Sequence, residues 1–234
     1  MFHTLFYWLN VLSWPWLLVV LCTRRTIRGR KNIPRQGPLI LASNHLNLSD
    51  PPIITVLTPR RIVWMAKKEL FDIPVIGILY RLYGLIPVRR FEADLAALRR
   101  AERALRRGQV LGMFPEGTRT GKPGLRPAEP GTALLALRAG VPVLPVAIWG
   151  TEGMRFPAAL FRRTDVSIAF GEPFRLPRPK RITKEDVEAG ADEIMRRIAA
   201  LLPPEYRGAY GDAAPKKAPP ASPQRVSAAG ERDA

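Results

Sequence analysis

The 234-residue chain contains two histidines, and His3 lies in an apolar N-terminal run. His45 is therefore the one imidazole available as a base in the body of the protein. It falls in NHLNLSD (44–50), directly after GPLILAS (37–43), which reads as a strand. That places the ring at the C-terminal end of a strand, where α/β sheets carry their sites. Asp50 follows five positions later. On an ideal helix this spacing would point the two side chains apart. A loop that turns into a helix at Asp50, with Pro51 and Pro52 in its first turn, lets the carboxylate fold back toward the imidazole. A carboxylate on one ring nitrogen fixes the tautomer and raises the basicity of the other, as a general base needs in order to take a proton from an alcohol. On these residues alone, a structural histidine and a plain N-cap aspartate are the competing readings.

A second constellation is FPEGTRT (114–120), after the apolar QVLGMF. Gly117 allows close backbone approach, Thr118 offers a hydroxyl and Arg119 a bidentate cation, an inventory that suits a phosphate. Glu116 is out of place beside an anion unless it orients Arg119 or hydrogen-bonds a ligand hydroxyl. An ordinary surface turn with an ion pair is the alternative. Lys67 and Lys68 follow RIVWMA (61–66), and Arg89 and Arg90 follow LIPV (85–88). Strand-end cations that converge on one sheet edge make an anion pocket, whereas singly each is a solvated charge. The chain has no G-x-S-x-G elbow, Walker A loop, G-x-G-x-x-G or H-E-x-x-H array. Its single cysteine, Cys22, ends an apolar run, so neither a disulfide nor a cysteine-rich metal site is available. Direct attack by a deprotonated acceptor hydroxyl fits these residues better than an acyl-enzyme.

Elements of the right length surround these residues. Strands are expected at 37–43, 61–66, 85–88, 109–114, 142–150 and 165–170. Helices are expected from Asp50 through IITVL, at 74–83, at 92–107, at 131–140 and from about Lys184 to Leu202. In the 92–107 segment Leu95, Leu98, Ala101 and Leu105 recur at helical spacing, with Gly108 as the stop. Strands alternating with helices predict an α/β fold with a mixed, largely parallel sheet covered by helices.

Lys and Arg number 37 against 20 Asp and Glu, a net charge of +17 that attracts polyanions, whether nucleic acid or an anionic bilayer. Nucleic-acid readers interleave aromatics with their basic positions, whereas Trp8, Trp14 and Trp16 concentrate in the first 22 residues. Those residues contain no Asp, Glu, Lys or Arg and reach the roughly 20 residues needed to cross a bilayer. Pro15 interrupts the run, so one spanning helix and two short helices in one leaflet are both compatible with it. The basic stretch that follows, Arg24 to Arg35, would stay on the cytoplasmic side against anionic headgroups. The expected organisation is a membrane anchor at 1–23, a catalytic domain at 24–202 and a disordered Pro/Ala-rich tail at 203–234. The expected partners are membrane lipids and not nucleic acid.

Taken together these blocks resemble the glycerolipid acyltransferases, specifically the 1-acyl-sn-glycerol-3-phosphate acyltransferases. Four match in order: NHLNLSD (44–50), the family's His-x4-Asp box, then GLIPVRR (84–90), FPEGTRT (114–120) and VPVLPVAI (141–148). MAKKELFDIPVIG (65–77) also resembles the stretch between the first two, so the resemblance spans residue 37 to about 172. It implies that His45 deprotonates the acceptor hydroxyl, which attacks the thioester of acyl-CoA or acyl-carrier protein, while Asp50 holds the imidazole. Lys67 would stabilise the oxyanion or hold a donor phosphate. Arg89 or Arg90, with Glu116, Gly117, Thr118 and Arg119, would bind the acceptor phosphate. Pro142 and its neighbours would pack the sheet beneath the site and line an acyl channel. No metal or cofactor is implied beyond the acyl-donor substrate. The implied product is phosphatidic acid, made at the cytoplasmic face of a membrane. Glycerol-3-phosphate, a lysophospholipid or a lyso-ornithine lipid are the alternative acceptors, and a non-catalytic basic protein that binds membranes or nucleic acid is the alternative outside the enzymes.

Overall fold

The computed structural model describes residues 14–89, 94–155 and 163–211. Seven strands form one sheet: β1 (Thr23–Arg28), β2 (Leu39–Ser43), β3 (Ile62–Lys67), β4 (Ile86–Val88), β5 (Val110–Met113), β6 (Val143–Trp149) and β7 (Thr164–Phe170). Their spatial order is β1-β7-β6-β2-β5-β3-β4. Strands β6, β2, β5, β3 and β4 run parallel, while β7 pairs antiparallel with β6 and carries β1 parallel to itself. The sheet is thus mixed and largely parallel, as the alternation of elements predicts.

Strand β2 is buried at every position from Leu39 to Ser43 because both of its faces are covered, and such strands read as unbroken apolar runs. Ile40 and Ala42 face one core layer, with Ala101 and Leu105 of α4 (Leu95–Arg106), Leu135 of α5 (Gly131–Ala139) and Ile194 and Ile198 of α6 (Lys184–Ala199). Leu39 and Leu41 face the other layer, with Val19 and Cys22 of α1 (Trp14–Cys22) and Ile53 and Ile54 of α2 (Asp50–Leu57). Caps set two of these helices. Asp94 accepts from the Ala97 amide at 2.9 Å to open α4, and Thr183 and Asp186 form a reciprocal capping box at the start of α6. The remaining helix, α3 (Pro74–Tyr83), follows a 3-10 turn at 68–71.

Four features add to or alter these expectations. The basic stretch after the N-terminal run, which falls outside the expected strands and helices, contains a strand: Thr23–Arg28 is edge strand β1, registered from Thr23 opposite Thr164 to Arg28 opposite Ala169. Its three arginines hide the strand pattern, and charge on an edge strand also discourages pairing with another chain. Residues 1–13 of the expected anchor lie outside the described residues. Residues 14–22 form the nine-residue helix α1, and no helix among the described residues is long and apolar enough to cross a membrane. The expected tail begins too early. Residues 203–211 carry two 3-10 turns, and Tyr206 and Tyr210 pack on the core, while 212–234 lie outside the described residues. Finally, Asp50 is the first residue of α2 with Ser49 at the cap, so its carboxylate is available to the preceding loop.

Candidate active site

The residues singled out for chemistry gather at the carboxyl edge of the parallel strands. His45 follows β2, Phe114 follows β5, Thr151 follows β6, Lys67 ends β3 and Arg89 follows β4. Asn44 fixes this edge: its side-chain amide donates to the Ile148 carbonyl and accepts from the Ile148 amide, each at 2.8 Å, which prolongs the β2–β6 pairing by one side chain.

His45 Nδ1 lies 2.8 Å from Asp50 Oδ2. The same oxygen accepts from the Leu46 and Asn47 amides at 2.7 Å, and Oδ1 accepts from the Thr151 hydroxyl at 2.6 Å. Every partner of Asp50 other than the imidazole is a donor, so the carboxyl group accepts throughout and the Nδ1 proton belongs to the ring. Nε2 is then the nitrogen with a lone pair for chemistry. Asp50 is completely buried, and His45 is 6% exposed and stacks on Phe114 with centroids 3.9 Å apart. Phe114 stacks in turn on Trp64 at 4.9 Å. Two aromatic rings and a carboxylate with four donors hold the imidazole in one orientation.

Glu116 has a different place from the one its motif suggests. Its Oε1 accepts from the His45 amide and its Oε2 from the Arg126 amide, both at 3.0 Å. The carboxylate therefore ties the His45 loop to the 114–129 loop. Burial pushes its pKa above the ordinary carboxylate value, opposed by those two backbone hydrogen bonds. The Thr120 amide closes the same junction on the His45 carbonyl at 2.9 Å. Gly117 makes the turn with φ of 68°, and a Cβ there would come within 2.8 Å of the Glu129 side chain.

A cavity of about 510 Å³ opens beside His45. Met65, Met113, Leu98, Leu134 and Leu135 give it apolar walls, and Arg89 and Gly117 also line it. Asp94 steadies Arg89 by accepting its backbone amide at 3.0 Å; the Ala97 amide, then that of Arg89, hold the Asp94 carboxyl below its usual range. The other expected site residues are less central. Lys67 is exposed, 3.3 Å from Glu69, and does not line the cavity. Thr118 is half-buried in the turn, Arg119 is exposed with its charge felt at Tyr80, and Arg90 lies outside the described residues. The 141–148 block packs the sheet as expected, forming β6 and buried from Val143 to Ile148, but it does not line the cavity, whose apolar walls come from α4, α5 and strand ends.

Thr151 escapes a reading of the sequence because it follows the last matching block and carries an ordinary side chain. Its position one residue past Gly150, at the end of β6, was the available signal. Thr151→Val removes one of the three donors that hold Asp50 besides the imidazole and leaves Oδ1 buried without a partner, while Thr151→Ser restores the hydroxyl. We expect Val to lower kcat about tenfold with KM little changed, and Ser to recover most of it. Equal loss in both variants, measured by steady-state kinetics, would reduce Thr151 to a packing residue.

The profile of the family described as Acyltransferase matches residues 24–149. A Borreliella burgdorferi protein named 1-acyl-sn-glycerol-3-phosphate acyltransferase is 31% identical over 137 residues, 58% of this chain and 55% of that one. A Pseudomonas aeruginosa protein named lyso-ornithine lipid O-acyltransferase is 35% identical over 136 residues, 57% of this chain and 52% of that one. The chain thus spans about half the length of these relatives. The crystal structure of the 1-acyl-sn-glycerophosphate acyltransferase of Thermotoga maritima superposes with a TM-score of 0.62, covering 86% of this chain and 88% of that one at 24% identity. That likeness establishes a shared fold. Because the family profile covers more than half of the chain, including the His45–Asp50 pair and the 114–120 loop, this protein belongs to the acyltransferase family.

Proposed function

We propose that the protein transfers a fatty acyl group from acyl-CoA or acyl-carrier protein to the sn-2 hydroxyl of 1-acylglycerol-3-phosphate, giving phosphatidic acid. The observation that carries this reading is a buried His45–Asp50 pair beside an apolar cavity whose lining includes Arg89. Nε2 takes the hydroxyl proton as the oxygen attacks the thioester carbonyl. The tetrahedral intermediate collapses with cleavage of the carbon–sulfur bond, and the imidazolium returns its proton to the departing thiolate. Asp50 stabilises the imidazolium between these steps. The apolar walls suit an acyl chain, Arg89 suits the acceptor phosphate, and the chemistry requires no cofactor beyond the donor. Lys67 and Arg119, exposed on the same edge, would meet the phosphates of the donor. The basic residues 24–35 and the apolar N-terminal run favour action at the cytoplasmic face of a membrane.

The similarity to the lyso-ornithine lipid enzyme supports a second reading, with an acceptor that has no phosphate. A panel of acceptors offered with one labelled acyl-CoA and one labelled acyl-carrier protein separates the two. Product from lysophosphatidic acid that falls steeply in Arg89→Ala supports the first reading. Product from lyso-ornithine lipid alone replaces it with the second, and no product from any acceptor removes both.

A further inference from the structure

Helix α3 is inside out for a water-facing surface. Gly77 is its one buried residue, set so close to the 68–71 turn that a Cβ would meet the Phe71 carbonyl oxygen at 2.1 Å. The opposite side carries Val75, Ile76, Ile78 and Leu79, a set at i, i+1, i+3 and i+4, all exposed, with Val75 at 70% and Ile78 at 57%. An ordinary surface helix turns such a stripe toward the core. Here the glycine allows the helix to lie on its turn and present the stripe outward. Contiguous exposed apolar surface of this kind marks an interaction site.

Charge indicates what covers it. Lys67 and Lys68 precede the helix, Arg81 lies on it, and Arg119 is close enough to influence Tyr80; all four are exposed. Glu69 and Asp72 are the acidic residues on the same segment, so the segment that carries the stripe is net positive. A second copy docking α3 against α3 would bring these like charges together. An apolar stripe on a cationic segment instead matches a bilayer, with acyl chains below and anionic headgroups above. The charge of Arg119 also links the helix to the site. Arg119 belongs to the loop whose Thr120 binds the His45 carbonyl, Leu48 projects from the His45 loop at 61% exposure, and Leu95 at 59% lines the cavity.

We propose that α3 is an interfacial helix, its Val75–Leu79 face inserted among the acyl chains of a bilayer containing anionic phospholipid, so that the cavity opens at the lipid surface. The inference rests on the lipid-acceptor reading above, and it adds a docking element separate from the N-terminal run. An acceptor then enters by lateral movement, without its chain crossing water.

Because the apolar N-terminal run offers a second route to a membrane, the test must report from α3. Full-length chains carrying Val75→Cys, Ile78→Cys or, at the opposite sheet edge, Arg106→Cys are labelled with an environment-sensitive fluorophore. Cys22 is buried, and the unsubstituted chain, treated identically, gives the background. Vesicles of phosphatidylcholine and phosphatidylglycerol with lipids brominated at shallow acyl carbons should quench emission at 75 and 78 by about half and leave 106 unchanged. The pair Val75→Glu/Ile78→Glu should lower transfer to vesicle-borne acceptor about tenfold and leave transfer to detergent-dispersed acceptor intact. Absence of quenching at both α3 positions in chains with unchanged melting overturns the proposal. So does shielding of the labels by raised protein concentration without vesicles, which identifies a second copy as the occupant. Failure of the unsubstituted enzyme to acylate in detergent would sink the proposed function while leaving the quenching result to decide α3.

Discussion

His45→Ala is expected to reduce acyl transfer on the order of a thousandfold while the protein stays folded. The two halves of this expectation have separate causes. Under the proposed mechanism, loss of Nε2 removes the group that would accept the hydroxyl proton, and among the described residues there is no second histidine to replace it. The fold survives because the loop is held largely through its main chain. The His45 amide still reaches Glu116, and its carbonyl still accepts from Thr120. What alanine does lose is the stacking on Phe114 and the Nδ1 donor to Asp50, together about 1–3 kcal/mol. His45→Asn sharpens the test, since its amide nitrogen can restore that donor without restoring a base. Single-turnover transfer and thermal melting are the measurements. Recovery of activity in the Asn variant would show that His45 orders the loop and performs no proton transfer.

The sheet was legible because its strands are short apolar runs separated by helical periodicity, and two-sided burial makes such runs conspicuous. Strand β1 was not, since TRRTIR pairs only on one edge and its arginines face solvent. Within the site, His45 and Asp50 stood out because the spacing of a rare residue and a carboxylate across a loop is visible in one dimension. The role of Glu116 was hidden because its partners are backbone amides, which every residue has. Thr151 was hidden for a related reason: it lies 101 positions from the carboxylate it supports, and only the folding of β6 beside β2 brings them together. The outward stripe of α3 shows the converse limit. Its sequence reads as a short apolar helix either way, and only the contact of Gly77 with the preceding turn decides which side faces out.

Asp50→Asn is expected to lower kcat by on the order of a hundredfold to a thousandfold, with far less effect on stability than Asp50→Ala. The difference follows from the donors around the carboxylate. Oδ2 faces three of them, the imidazole and the Leu46 and Asn47 amides, so an asparagine must place its oxygen there. Its NH2 then occupies the position of Oδ1, opposite the Thr151 hydroxyl, which can rotate from donating to accepting. The hydrogen-bond geometry survives and the ring keeps its proton on Nδ1. What disappears is the negative charge that stabilises the imidazolium formed during attack, so the loss should fall on kcat with KM nearly unchanged. Alanine instead leaves those donors facing a buried void, at about 1–3 kcal/mol for each one left unsatisfied. The amphoteric hydroxyl makes a further consequence measurable. In the Asp50→Asn background, Thr151→Val removes the acceptor for the new NH2, which frees the amide to flip and point its nitrogen at His45. The double variant should therefore lose more activity than the product of the two single effects. Strict multiplicativity would mean that Thr151 and Asp50 act independently, against the 2.6 Å bond that joins them.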